Sequence, residues 1–178
     1  MKIYSVTEVL SKYVNWAKIN PDVLAQACQR GTDTHTQCGL YANLGYFINP
    51  PPECLGYLES FQCWFDANVK KVILYEKRFT CKKFWFTGRL DFVFELNTDE
   101  IVLTDIKTPL AESKTWKGQL AAYDYLAEKE GGVKCDDIMS LRLKPDGTSA
   151  RGVRYGNGKL QYFNTFLSAL NAHRGLMG

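Results

Sequence analysis

Several features that would narrow the class of this 178-residue chain are missing from it. No apolar run approaches the roughly 20 residues of a membrane-spanning helix. The opening stretch, MKIYSVTEVLSKYVNW, has no continuous apolar segment of the kind a secretory signal carries. A cytoplasmic protein with no membrane partner is therefore expected. Six cysteines occur, at 28, 38, 54, 63, 81 and 135, and none forms a CxxC pair, which argues against zinc. With no export signal, reduced and partly buried thiols are expected rather than disulfides. Internal repeats, low-complexity segments and long linkers are absent. Histidine is scarce: only His35 and His173, the latter reading as a surface residue near the C-terminus. Net charge is only +3, too small to imply nucleic-acid binding by itself.

What is present reads as one globular domain, with 46% apolar and 23% charged residues. Ser5 or Thr7 caps an expected helix over residues 9–16. Pro21 suits the first helical position after Asn20, and the helix that follows is expected to end or bend at Gly31. Residues 31–47 mix helical and loop character. NPPPE, Asn49 to Glu53, breaks the chain. A helix over 53–69 then presents Leu55, Leu58, Phe61, Gln62 and Phe65 as a mostly apolar face. The middle is strand-rich: 72–75, a long strand from Phe84 to Glu95, and 101–107 after the turn NTDE. In the long strand, Asp91, Val93 and Glu95 share one face and Leu90, Phe92 and Phe94 the other. A helix over 114–130 stops at Gly131-Gly132, and a strand at 138–143, a turn at Pro145-Asp146-Gly147, a strand near 152–155 and a helix over 160–174 complete the chain. Trp85 and Phe86 are expected in the core.

The segment TDIKTP, Thr104 to Pro109, follows the apolar Ile101-Val102-Leu103. Asp105 and Lys107 are two apart, so on a strand they share a face. They form either an ion pair or half of an active site. Asp91 lies on the preceding strand, and two carboxylates from neighbouring strands suit a hard divalent cation, with the Ile106 carbonyl as a further oxygen. Lys107 beside that cation is placed to orient water or to stabilise charge on a phosphate. Gln119 and Tyr123 are four apart, on one helical face. Between Val69 and Arg89 run Lys70, Lys71, Lys77, Arg78, Lys82, Lys83 and Arg89 against Glu76 alone. That cluster reads either as a solvated basic hairpin or as a phosphate-facing surface.

Four motifs, RGTDTH ending at His35, GRLDFVF with Asp91, LTDIKT with Asp105 and Lys107, and GQLAAYDYL with Gln119 and Tyr123, together resemble the PD-(D/E)xK nuclease superfamily. The likeness is to its RecB-like branch, neighbour to the lambda-exonuclease-type and phage-recombination nucleases, and spans roughly His35 to Tyr125. The resemblance implies a restriction-endonuclease-like α/β (α+β) core: a central mixed sheet flanked by helices, with a helical segment at residues 1–50, a catalytic core at 53–145, and a C-terminal strand and helix at 150–178. It implies a metal-dependent DNA exonuclease that hydrolyses phosphodiesters with a metal-activated water. By position, His35, Asp91, Asp105 and Ile106 match metal ligands, Lys107 the catalytic lysine, Glu76 an assisting acid, and Gln119 and Tyr123 the residues lining the site. Mg2+ or Mn2+ is the expected cofactor. DNA is the expected partner, held by its backbone without sequence reading, with Lys114 and Lys117 adding phosphate contacts and Trp116 placed to stack on a base.

The chain departs from the pattern at Asp105, where glutamate is more usual, and at Leu90, where proline often precedes the first acid. Iron–sulfur relatives cluster three cysteines downstream, whereas only Cys135 follows Gln119 here, so no cluster is expected. A structure-specific endonuclease and a non-catalytic DNA-binding or assembly module are the alternatives. Assembly as a homo-oligomer, or with a recombination or repair partner, stays open.

Overall fold

The computed structural model describes residues 2–14, 19–109 and 111–177. A two-residue strand, β1 (Tyr4–Ser5), leads into helix α1 (Val6–Ser11). Ser5 closes a capping box: its hydroxyl accepts the Glu8 N–H at 3.1 Å while Glu8 accepts the Ser5 N–H at 3.3 Å. The helix expected over 9–16 thus starts earlier and stops at Ser11; Asn15 and Trp16 lie outside the described residues.

Helix α2 (Pro21–Leu44) starts as expected, with Asn20 accepting the Asp22 N–H at 2.8 Å, and ends at Gly45 in the left-handed region. It runs through Gly31 instead of ending or bending there. A mid-helix glycine costs about 1 kcal/mol against alanine, and burial of Cys38 and Tyr41 against the next helix outweighs it. After a 3-10 turn at Pro52–Cys54 comes α3 (Leu55–Asn68). Its buried stripe is Tyr57, Leu58, Phe61 and Trp64, so the expected face is rotated and Leu55 is exposed.

Strands β2 (Val69–Tyr75), β3 (Arg78–Cys81), β4 (Phe86–Arg89), β5 (Phe92–Leu96) and β6 (Ile101–Lys107) follow. Helix α4 (Trp116–Lys129) links β6 to β7 (Asp137–Arg142); β8 (Arg151–Arg154) and α5 (Lys159–Met177) come last. The main sheet has the order β2-β5-β6-β7-β8, antiparallel except for the β6–β7 pair that α4 connects. A smaller sheet has the order β1-β4-β3.

The long strand expected from Phe84 to Glu95 is split between these sheets. Tyr75 pairs with Phe92 and Arg78 with Arg89; between them the Glu76 N–H donates to the Asp91 carbonyl at 2.8 Å, and the Leu90 N–H to the Lys77 carbonyl at 3.1 Å. The antiparallel ribbon is therefore continuous but kinked, with Glu76 at φ 47°. The kink breaks the alternation: Leu90 joins Val93 in one core while Phe92 and Phe94 belong to the other. Irregularities of this kind re-aim side chains, and this one falls on Glu76 and Asp91.

Helices cover both faces of the main sheet. Phe92, Phe94, Val102 and Ile106 pack with Phe61 and Trp64 of α3, while Val93 and Leu103 pack with Leu120 of α4 and Phe166 of α5. This is the expected mixed α/β (α+β) architecture, a central mixed sheet flanked by helices. No described helix is long and apolar enough to cross a membrane. His173 is not a surface residue: it is 5% exposed and meets Tyr4 edge-on at 4.7 Å, because α5 packs against the N-terminal segment. Phe86, the first residue of β4, is buried, but Trp85 lies in the turn before it, at φ 51°, and is exposed. Cys38, Cys54, Cys81 and Cys135 are buried free thiols, and Cys28 and Cys63 are exposed.

Candidate active site

β6 lies inside the main sheet and points Val102 and Ile106 to the α3 side. Asp105 and Lys107 consequently share the face that α4 covers. Their side chains are 3% and 13% exposed, and Lys107 Nζ touches Asp105 Oδ2. Gln119 clasps this pair from α4: its Oε1 accepts from Lys107 Nζ at 3.0 Å, and its Nε2 donates to Asp105 Oδ1 at 3.3 Å. The same amide reaches the Tyr123 hydroxyl, one turn along, at 3.2 Å. Burial, then the nearby Asp105 charge, raises the Tyr123 pKa, so Tyr123 stays a neutral phenol. Burial pushes the Asp105 carboxyl up to about 6; Lys107 opposes this and Asp91 adds to it. Asp105 Oδ2 faces the Lys107 ammonium, its counter-charge.

A second cluster meets at the kink. His35, midway along α2 rather than in a loop after it, places Nδ1 3.2 Å from Asp91 Oδ2. The Ile106 backbone N–H donates to the same oxygen at 2.9 Å, so Ile106 enters the site through its amide. Glu76 completes the group: one ligand atom each from His35, Glu76 and Asp91 lie within 4.8 Å of one another. Burial pushes the Asp91 carboxyl up, but His35, Lys107 and the Ile106 N–H outweigh it and hold it low. Burial pulls the His35 imidazole down, yet its contact with Asp91 leaves it raised. Burial and Asp91 raise Glu76. Glu76 does not pair with Arg78 as a regular strand would have it; the kink hands it to Arg89, whose Nε lies 2.8 Å from Oε2.

All of His35, Glu76, Asp91, Asp105, Lys107, Gln119 and Tyr123 line one cleft of about 630 Å³. Trp116 does not. It is 6% exposed, with Lys107 Nζ 5.3 Å and Arg142 Cζ 5.2 Å from its ring centre, so it braces the lysine and offers no face to a base. The basic cluster is only partly free: Lys70 is neutralised by Glu95 at 2.7 Å and Asp99 at 2.6 Å. The sequence reading missed Thr32, Thr36 and Tyr75 in the cleft wall. Thr32 lies three residues before His35 and four before Thr36, on one helical face, a signal lost by ending the helix at Gly31. It also gave Gly88 of GRLD no role. A Cβ there would lie 2.7 Å from the Tyr123 ring, so the glycine lets the ribbon approach α4.

No family model and no curated protein matches the chain. Among solved structures it is similar to the crystal structure of SSO0001, at 16% identity and a TM-score of 0.28, over 47% of this chain and 41% of that one. The chain thus spans less than half the length of that protein. It is also similar to LHK-Exo in complex with dAMP, at 11% identity and a TM-score of 0.45, over 96% of this chain and 87% of that one. At these scores the reading of the cleft rests on its own geometry.

Proposed function

We propose that this chain is a divalent-metal-dependent deoxyribonuclease acting as an exonuclease. The observation that carries the reading is a single cleft in which an imidazole–carboxylate cluster adjoins a buried, clasped acid–lysine pair. The donor set fits a cation: two carboxylates and an imidazole converge. Such a set suits manganese as well as magnesium. His35, Glu76 and Asp91 would hold the cation, with Asp105 beside them and Ile106 orienting Asp91 through its N–H. A divalent cation supplies Lewis-acid chemistry, polarising a phosphate oxygen and acidifying water.

The chain's own residues do the rest. Gln119, backed by Tyr123, holds the Lys107 ammonium at the edge of the cleft, where it stabilises negative charge building on the phosphate. As the water oxygen bonds to phosphorus, a bridging P–O bond breaks and the leaving oxygen takes up a proton. Arg78 and Arg89 line the cleft and suit phosphate oxygens, which gives backbone binding without sequence reading. Action from an end follows the resemblance to the lambda-exonuclease-type enzymes.

The test is cleavage of linear and covalently closed DNA, single- and double-stranded, with Mg2+, Mn2+ or EDTA, beside Lys107→Ala. Metal-dependent loss of linear DNA alone, abolished in the variant while DNA binding persists, is expected. Cutting of closed circles would make the protein an endonuclease, and binding without cleavage under either metal would make it a non-catalytic module.

A further inference from the structure

The β3–β4 hairpin runs from the cleft, where Arg78, Gly88 and Arg89 form part of the wall, outward to a tip at residues 82–85. The tip reads Lys-Lys-Phe-Trp. Phe84 turns inward, meeting Tyr125 at 5.7 Å and Phe163 at 6.0 Å. Trp85 turns outward, is 37% exposed, and sits at φ 51°. A left-handed backbone is a genuine outlier for a bulky residue, and glycine or asparagine would occupy it at lower cost. The turn is held by Arg174 Nη2, which donates to the Phe84 carbonyl and to the Trp85 carbonyl at 3.2 Å, and by the Tyr4 N–H at 3.4 Å from the latter. The fold therefore clamps the backbone of a residue whose exposed side chain core packing does not explain. Strain kept in this way marks positions with a use. Lys82 and Lys83 beside it are exposed, and neither forms an ion pair among the described residues.

We infer that Trp85, with Lys82 and Lys83, is a nucleic-acid contact outside the catalytic cleft: the indole stacks on an unpaired base and the two ammonium groups take the flanking phosphates. The assignment of DNA as the ligand rests on the proposed nuclease activity. An exposed indole between cations suits a base–phosphate strand, because every base offers a π-face whatever its identity. Four strand residues separate Trp85 from Arg89, about 13 Å at 3.3 Å each. That reach matches about four stacked base steps from the phosphate in the cleft. The contact therefore favours substrates with a single-stranded segment beside the cleaved bond.

Binding is measured by fluorescence anisotropy with a labelled single strand of about 16 nucleotides, the upper site size of simple strand binders, in EDTA so that no cleavage intervenes. Trp85→Ala is expected to weaken binding about tenfold, the effect of losing one stacked base, while Trp85→Phe keeps most of it. Lys82→Gln with Lys83→Gln should flatten the slope of log affinity against log salt by about 1.4. Hydrolysis of thymidine 5′-monophosphate p-nitrophenyl ester, too short to reach the tip, should be the same in Trp85→Ala and in the unaltered protein. Strand binding unchanged by Trp85→Ala would overturn the inference. So would Trp85-dependent binding to phosphatidylserine-containing vesicles without an effect on DNA, which would make the tip a membrane contact. Trp85-dependent DNA binding in a protein that hydrolyses neither ester nor DNA supports the inference while removing the proposed catalysis.

Discussion

Replacing Lys107 by Met keeps the apolar stem and deletes the charge. Asp105, 3% exposed, is then left with Gln119 Nε2 as its partner and no cation. Breaking a buried pair from one side costs about 3–5 kcal/mol. Its pH dependence separates this cost from plain loss of packing. Burial already lifts Asp105 to about 6 from its ordinary 3.8, against the pull of Lys107. That difference is worth about 3 kcal/mol in the unaltered protein. A folded-state value above the unfolded one means that the folded protein holds the proton more tightly. The stabilisation is fully present below the unfolded value and is lost as pH rises through the folded one. Without Lys107 the folded value climbs further, and the loss continues to higher pH. The two proteins should differ little near about pH 5 and by about 3 kcal/mol near about pH 7.5. With a urea slope of about 2 kcal/mol/M, that is a midpoint shift of about 1.5 M. Urea unfolding followed by circular dichroism in EDTA at the two pH values reads it directly. An equal shift at both would show that the charge pair is not what is lost, and no shift at the higher pH would refute the buried clasp.

His35→Ala and Glu76→Gln should each weaken Mn2+ binding by at least about tenfold in isothermal titration calorimetry, since outer-sphere changes alone reach that size; an unaltered affinity would remove the residue from the cation site. Gly88→Ala should displace the Tyr123 ring, which a Cβ would approach to 2.7 Å. The expected result is about 1–3 kcal/mol of lost stability and slower cleavage with Mn2+ affinity unchanged; normal cleavage would mean that Tyr123 does not support Gln119.

Much of this chain was legible locally. Asn20 and Pro21 mark the start of α2 because capping is settled within one turn. Alternation places Asp105 and Lys107 together on β6, and helical spacing places Gln119 and Tyr123 together on α4, whatever surrounds them. The end of α4 before Gly131 and Gly132 is local for the same reason. The misreadings involve contacts between distant segments. α2 passes Gly31 because Cys38 and Tyr41 bury against α3, and a helix-breaking preference of about 1 kcal/mol is smaller than that burial. Leu90 parts from Phe92 and Phe94 because the ribbon kinks where it crosses between sheets. Trp116 looked free to stack, but α4 lays it over Lys107 and Arg142, themselves neighbours only through the parallel β6–β7 pair.

The sequence by itself determined most of the helix starts, the strand at 101–107 and the residue types of the cleft, because propensity, capping and periodicity act over a few residues. Only the tertiary structure decided which side chains meet. His35, Glu76 and Asp91 converge because α2 lies against a kinked ribbon, and the kink is stabilised by hydrogen bonds between strands, a pairing that local pattern does not contain.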